Sequence, residues 1–159
     1  MDRDPFYAFE IALHARPSTS GAGGRHVDVW GEWPTLDVPP AVLAQPLSIG
    51  FDDAFARLAG LERMFVEPDG SFVWVGTHET RAWQIDGQAL ERDGRVLQIE
   101  LRGLGPRTAF DRLLAAFGWP EQPLVMLLVR PAVLLDEAVF RRHAENRGSR
   151  GDAAGLRPA

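Results

Sequence analysis

The chain has 159 residues, 45% of them hydrophobic and 25% charged, with a formal net charge of -5. That length can bury a core without a covalent or metal staple. The lack of cysteine excludes disulfides, thiolate zinc sites, iron–sulfur clusters and a cysteine nucleophile. The start, Met1-Asp2-Arg3-Asp4, is acidic where a secretory signal is basic, and no apolar run approaches the ~18 residues of a spanning helix. The expectation is a soluble, cytoplasmic protein with no membrane contact.

All 17 basic residues are arginine, which reads as a base-composition bias. Residues 1–140 carry 12 Arg against 20 Asp and Glu, whereas residues 141–159 carry five Arg against two acids. An acidic body repels phosphate backbones, so no nucleic-acid partner is expected for the folded part. The basic end reads as a solvated tail.

In chain order, Tyr7, Phe9, Ile11 and Leu13 alternate with polar or small residues and predict a half-buried strand. Residues 18–24, Ser-Thr-Ser-Gly-Ala-Gly-Gly, read as a flexible loop. Residues 15–50 as a whole read as an irregular excursion, because Pro34, Pro39, Pro40 and Pro46 oppose a long regular element. Asp52 caps a short helix that ends near Ala59, with Gly60 as its left-handed stop. Met64–Val66 and Phe72–Val75 flank Pro68-Asp69-Gly70 as a hairpin, and Asp93-Gly94 joins the stretch around Leu90 to Val96–Leu101.

Phe110, Leu113, Leu114 and Phe117 form one helical stripe between Pro106 and Gly118. Leu124–Val129 is apolar in both phases, as in a central strand covered on both sides. Val133–Leu135 is apolar enough to suggest an oligomer contact. A final helix follows Asp136 and carries Val139, Phe140 and His143, the last read as structural near the helix end. Residues 146–159 read as a disordered tail.

The sum is a single α+β domain over residues 1–145: an antiparallel sheet of five to seven strands with two or three helices mainly on one face. Its expected core is Tyr7, Phe9, Ile11, Phe55, Leu58, Phe65, Trp83, Ile85, Leu97, Ile99, Phe110, Leu114, Phe117, Val125 and Leu127.

No phosphate-binding loop, nucleophile elbow or His-Glu-x-x-His motif occurs. Four polar residues deserve a chemical reading. His26 and Asp28 share a strand face, and with His78 and Glu79 they could offer two imidazoles and two carboxylates to a divalent metal. The competing reading is exposed loop histidines hydrogen-bonded to water. Trp30 and Trp33, with Glu32 between them, sit in a proline-rich stretch and could anchor a partner. The competing reading is that they cap one end of the core. If they are surface anchors, replacing both should leave the fold intact.

The segments Val66–Trp74, Trp83–Gly87 and Phe117-Gly118-Trp119-Pro120 resemble small uncharacterised proteins of planctomycete-type bacteria, over roughly residues 64–142. That resemblance implies a bacterial source and transfers no site residue. The net acidity, and a helix leading into an apolar strand, are similar in plan to small acidic immunity proteins such as barstar. Residue chemistry favours a non-enzymatic binding or protein-interaction module, with no cofactor. One alternative is a small metal-assisted hydrolase built on His26, Asp28, His78 and Glu79. Another is an immunity-like protein whose negative surface is steered to a basic toxin.

Overall fold

The computed structural model describes residues 4–149. Its strands are β1 (Phe6–Ala15), β2 (Gly21–Asp28), β3 (Gly31–Asp37), β4 (Met64–Val66), β5 (Ser71–His78), β6 (Arg81–Arg92), β7 (Arg95–Pro106), β8 (Leu124–Leu128) and β9 (Val133–Asp136). Its helices are α1 (Pro40–Leu43), α2 (Phe51–Ala59), α3 (Arg107–Ala116) and α4 (Glu137–Ser149). The strands form one sheet in the order β2-β3-β9-β8-β1-β7-β6-β5-β4. The α+β class and antiparallel sheet stand, but nine strands replace the expected five to seven. No helix among the described residues is long and apolar enough to cross a membrane.

β1 lies at the centre, antiparallel to β7 on one side and to β8 on the other. Period two sends Tyr7, Phe9, Ile11 and Leu13 to the helix-covered face, where they are at most 2% exposed. Phe110 of α3 and Phe140 of α4 stack over them, with the Phe9–Phe110 ring centroids 5.2 Å apart. The α3 stripe of Phe110, Leu113, Leu114 and Phe117 is fully buried. β8 divides its residues between two apolar clusters: Leu124, Met126 and Leu128 join the main core, while Val125 packs with Val38 and Leu134 beside Val42 and Leu43. The doubly apolar strand is therefore covered on both sides, and α1 is the small lid on the second side.

Several expectations need correction. The excursion at 15–50 contains the β2–β3 hairpin, including the glycine run expected to be a loop. Glycine has no side chain to alternate, so the strand is silent in the apolar pattern. Pro34 is tolerated because β3 meets β9 at a single register pair, Leu36 with Leu134. Val133–Leu135 lies in an inner strand, where Leu134 and Leu135 are buried in the chain's own core and Val133 is partly buried. Residues 146–149, expected to be tail, form the last turn of α4; residues 150–159 lie outside the described residues. Phe65, expected in the core, is 63% exposed, because it is the middle residue of the three-residue edge strand β4 and faces away from the helices. Phe55, Leu97 and Leu127 are only partly buried. Gly60 ends α2 in the right-handed region at φ -79°, whereas Gly118 takes the expected positive φ after α3.

α4 reaches the site because it can lie very close to β1. A Cβ built on Gly148 would fall 2.2 Å from the Phe6 carbonyl oxygen, a contact no alanine could make without displacement. The start of the helix is held by Arg141, whose Nη1 stands 2.7 Å from Asp111 and whose Nε donates to Glu137 at 3.0 Å. The Trp119 indole also donates to Glu137, at 2.7 Å. Arg141 keeps its charge: burial opposes it, but the bonds to Tyr7 and Asp111 outweigh burial and raise its pKa.

Candidate functional site

The β2–β3 turn is organised by one carboxylate. Asp28 Oδ1 accepts from the backbone N–H of Trp30 at 2.9 Å, from that of Gly31 at 3.1 Å, and from the Trp33 indole at 3.0 Å. Gly31 closes the turn at φ +146°, a conformation that suits glycine. The second oxygen, Oδ2, lies 2.9 Å from His143 Nε2 and 3.3 Å from His26 Nε2. His26 and Asp28 do share a strand face, two residues apart on β2. His143 arrives from α4, in the stripe Phe140, His143 and Ala144 that faces the sheet. The rings of Trp30 and Trp33 approach its imidazole edge-on at 5.4 and 5.1 Å. Asn146 ties the helix to the turn by donating to the Trp30 carbonyl at 3.1 Å.

Protonation follows from these contacts. Burial alone would raise the Asp28 pKa, but the hydrogen bonds from Trp33, His143 and the Trp30 N–H hold it below the usual carboxylate value. Burial pushes His143 below the ordinary histidine value; Asp28 opposes this, while Arg147 and His26 reinforce it. At neutral pH an ionised Asp28 therefore faces a neutral His143. The shared bond places the imidazole proton on Nε2 and leaves a lone pair on Nδ1. Nδ1 is buried and has no hydrogen-bond partner among the described residues.

The cluster forms one wall of a cavity of about 600 Å³. Trp30, Leu128, Val129 and Pro131 supply apolar lining, and Arg102, Arg130 and Arg147 supply guanidinium groups. The Arg147 guanidinium lies 4.8 Å from the centroid of the Trp30 ring. Glu10 stands among these cations, 2.9 Å from Arg130 and 3.7 Å from Arg102. Three guanidinium and two imidazole groups thus face two carboxylates, in a chain whose net charge is negative.

The proposed metal constellation does not assemble. His26 and Asp28 line this cavity, whereas His78 and Glu79 line a different one beside Phe6. Among the described residues, no group of three or more His, Asp or Glu is arranged to hold a metal ion. Strand pairing explains the separation: His78 ends β5 and Glu79 follows in the β5–β6 turn, far across the sheet order from β2.

The partner-anchor triplet also divides. Trp30 is half-buried in the cavity wall, but Trp33 is only 5% exposed. Replacing Trp33 would therefore delete core, contrary to the expectation that both indoles could be removed safely. Glu32 points outward, paired with Arg25 at 3.5 Å, and does not line the cavity. His143 and the arginine wall were missed. A histidine one turn beyond Phe140 on a buried stripe needs a polar partner, and that signal was present. Comparison with protein-family models, with curated proteins and with solved structures finds no match.

Proposed function

We propose that this protein is a non-enzymatic binding module, and that its ligand is a small anion. One observation carries the reading: the guanidinium-bearing residues Arg102, Arg130 and Arg147 line one cavity together with His26, His143 and the apolar Trp30 and Pro131. Guanidinium forks favour carboxylate or phosphate oxygens in flat, paired contacts. Trp30 and Pro131 supply flat apolar surface beside these groups. Among the described residues the cavity lining includes no Ser, Thr or Cys that an imidazole could activate as a nucleophile, which favours binding over covalent catalysis.

The test titrates the full chain with inorganic phosphate, glycolate and benzoate, following tryptophan fluorescence and ligand-observed NMR. Saturable binding that weakens at least tenfold in Arg130→Gln supports the reading; Arg130 is 82% exposed, so that variant leaves the fold intact. No saturable binding by any of the three anions, or binding indifferent to Arg130→Gln, overturns it.

A second reading draws on Val27 and Val29, which are 64% and 71% exposed on either side of Asp28. A protein partner seated on this hairpin would bury both. It would retain the interaction-module expectation while replacing Trp33 as its anchor.

A further inference from the structure

The sheet face that α2, α3 and α4 leave uncovered carries a second depression, of about 550 Å³. It shares Glu10, Arg102 and Val129 with the first cavity, but the rest of its lining is its own. His14 of β1 lies there, one step along from the Leu13–Ile99 pair and therefore beside Gln98 of β7. Leu43 of α1 and Leu127 of β8 give the depression an apolar side.

His14 is the unusual member. It is only 7% exposed, yet it lines the depression. Burial alone pushes its pKa down, and no hydrogen bond or charge among the described residues reaches the ring to oppose this. A neutral imidazole presents one acceptor nitrogen and one N–H, and burial removes most of the water that could satisfy them.

The charges around it are unbalanced. Arg102 and Arg130 are drawn to Glu10, at 3.7 and 2.9 Å. Glu100 stands opposite Ala12 on β1 and Gln88 on β6, which puts it diagonal to His14. Asp86 adds a second carboxylate on β6. Gln88 donates through Nε2 to the Asp69 carbonyl at 3.0 Å, which leaves its amide oxygen for another donor. The depression is therefore rich in acceptors and negative, where the first cavity is rich in guanidinium groups.

We infer that this depression binds a second ligand, a small organic ammonium ion, whose N–H groups bridge His14 and Glu100 and whose apolar body lies against Leu43 and Leu127. Diagonal neighbours on paired strands have backbones about 7–8 Å apart, a gap that long side chains narrow. One ammonium nitrogen at about 2.9 Å from each of two acceptors spans up to about 6 Å. An anion would meet two carboxylates here, and an alcohol would leave the charge of Glu100 unmatched. The inference is independent of the anion reading, because His14, Gln88 and Glu100 do not line the first cavity.

The experiment titrates the full chain calorimetrically at neutral pH with three ligands that share one ring: cyclohexylammonium, cyclohexanol and cyclohexyltrimethylammonium. The second lacks the charge, and the third keeps the charge but has no N–H. Cyclohexylammonium should bind at least ten times as tightly as either. Glu100→Gln, at an exposed position, should weaken it at least tenfold and leave the melting temperature unchanged. His14→Leu should weaken it as well, by removing the second acceptor. The proposal is overturned if the alcohol or the trimethylated cation binds as tightly as the ammonium. Ammonium binding indifferent to both substitutions, or no saturable ammonium binding at all, also overturns it.

Discussion

At the scale of the residue, Asp28 holds three donors of its own hairpin and two imidazoles, one of them from the last helix. Titration of this cluster should be visible in the stability of the whole chain. His143 has its pKa depressed mainly by burial, and His14 by burial alone. A base with a depressed pKa in the folded state resists a proton that the unfolded chain accepts. Its contribution is therefore complete above the ordinary value of 6.5 and declines as pH falls below it. Asp28, held below 3.8, adds stability that is lost only in stronger acid. Urea unfolding midpoints should thus be level from pH 8 to 7 and fall steadily from pH 6.5 to 5. His14→Gln should flatten that slope, since it removes one of the two resisting bases. A midpoint that holds or rises on acidification would show that these imidazoles are not kept neutral by the fold.

At the scale of the element, two glycines at or near helix ends make opposite predictions from the same substitution. Alanine gains about 1 kcal/mol over glycine inside a helix from propensity alone. At Gly148 that gain is opposed by a Cβ 2.2 Å from one backbone atom of Phe6 and 2.9 Å from another. Backbone on both sides cannot yield as a flexible side chain can, so overpacking of about 1–3 kcal/mol should win. At Gly60 the φ is -79° and the new Cβ would meet the Arg57 and Ala56 carbonyl oxygens at 3.4 and 3.9 Å, ordinary contact distances. There Gly60→Ala should be neutral or stabilising by up to about 1 kcal/mol. Thermal melts of the two variants check the contrast, and equal melting points would remove the argument that Gly148 sets the seat of α4.

The same elements show what the residue pattern could and could not convey. The stripe of α3, the two Asp-Gly hairpins (β4–β5 and β6–β7) and the doubly apolar β8 were legible, because each buries side chains at a period the sequence carries. β2 was not, since Gly21, Gly23 and Gly24 leave no pattern and its partner β3 contains Pro34. Half of the site was legible for a local reason: His26 and Asp28 are two apart on one strand. The other half depends on which strand neighbours which, and that depends on long-range pairing that spacing cannot encode. So His78 and Glu79 looked eligible and lie elsewhere, while His143 looked merely terminal and completes the cluster.

At the scale of the whole molecule, the order of assembly follows from where β1 sits. It is the first strand in sequence and the middle strand in space, with Phe6 paired to Pro106 and Ala15 to Leu124. Neither neighbour can pair with it until most of the chain has been brought back, so loop-closure entropy is spent before the central contacts return anything. The hairpins β5–β6 and β6–β7 are local and can form early, but their helix-side residues Trp74, Trp83 and Ile85 complete a core that needs β1 and α3. Topology of this kind places the main refolding phase in milliseconds to seconds, slower than helical proteins of similar size. Ile11→Val, at the centre of β1 and fully buried, should divide its effect between folding and unfolding rates differently from Ile85→Val on β6. If the β6 hairpin forms first, Ile85→Val will mainly slow folding and Ile11→Val will mainly speed unfolding. Stopped-flow tryptophan fluorescence across a urea series measures both limbs. Complete refolding within microseconds, or a folding limb altered more by Ile11→Val than by Ile85→Val, would reverse the proposed order and make the central strand part of the nucleus.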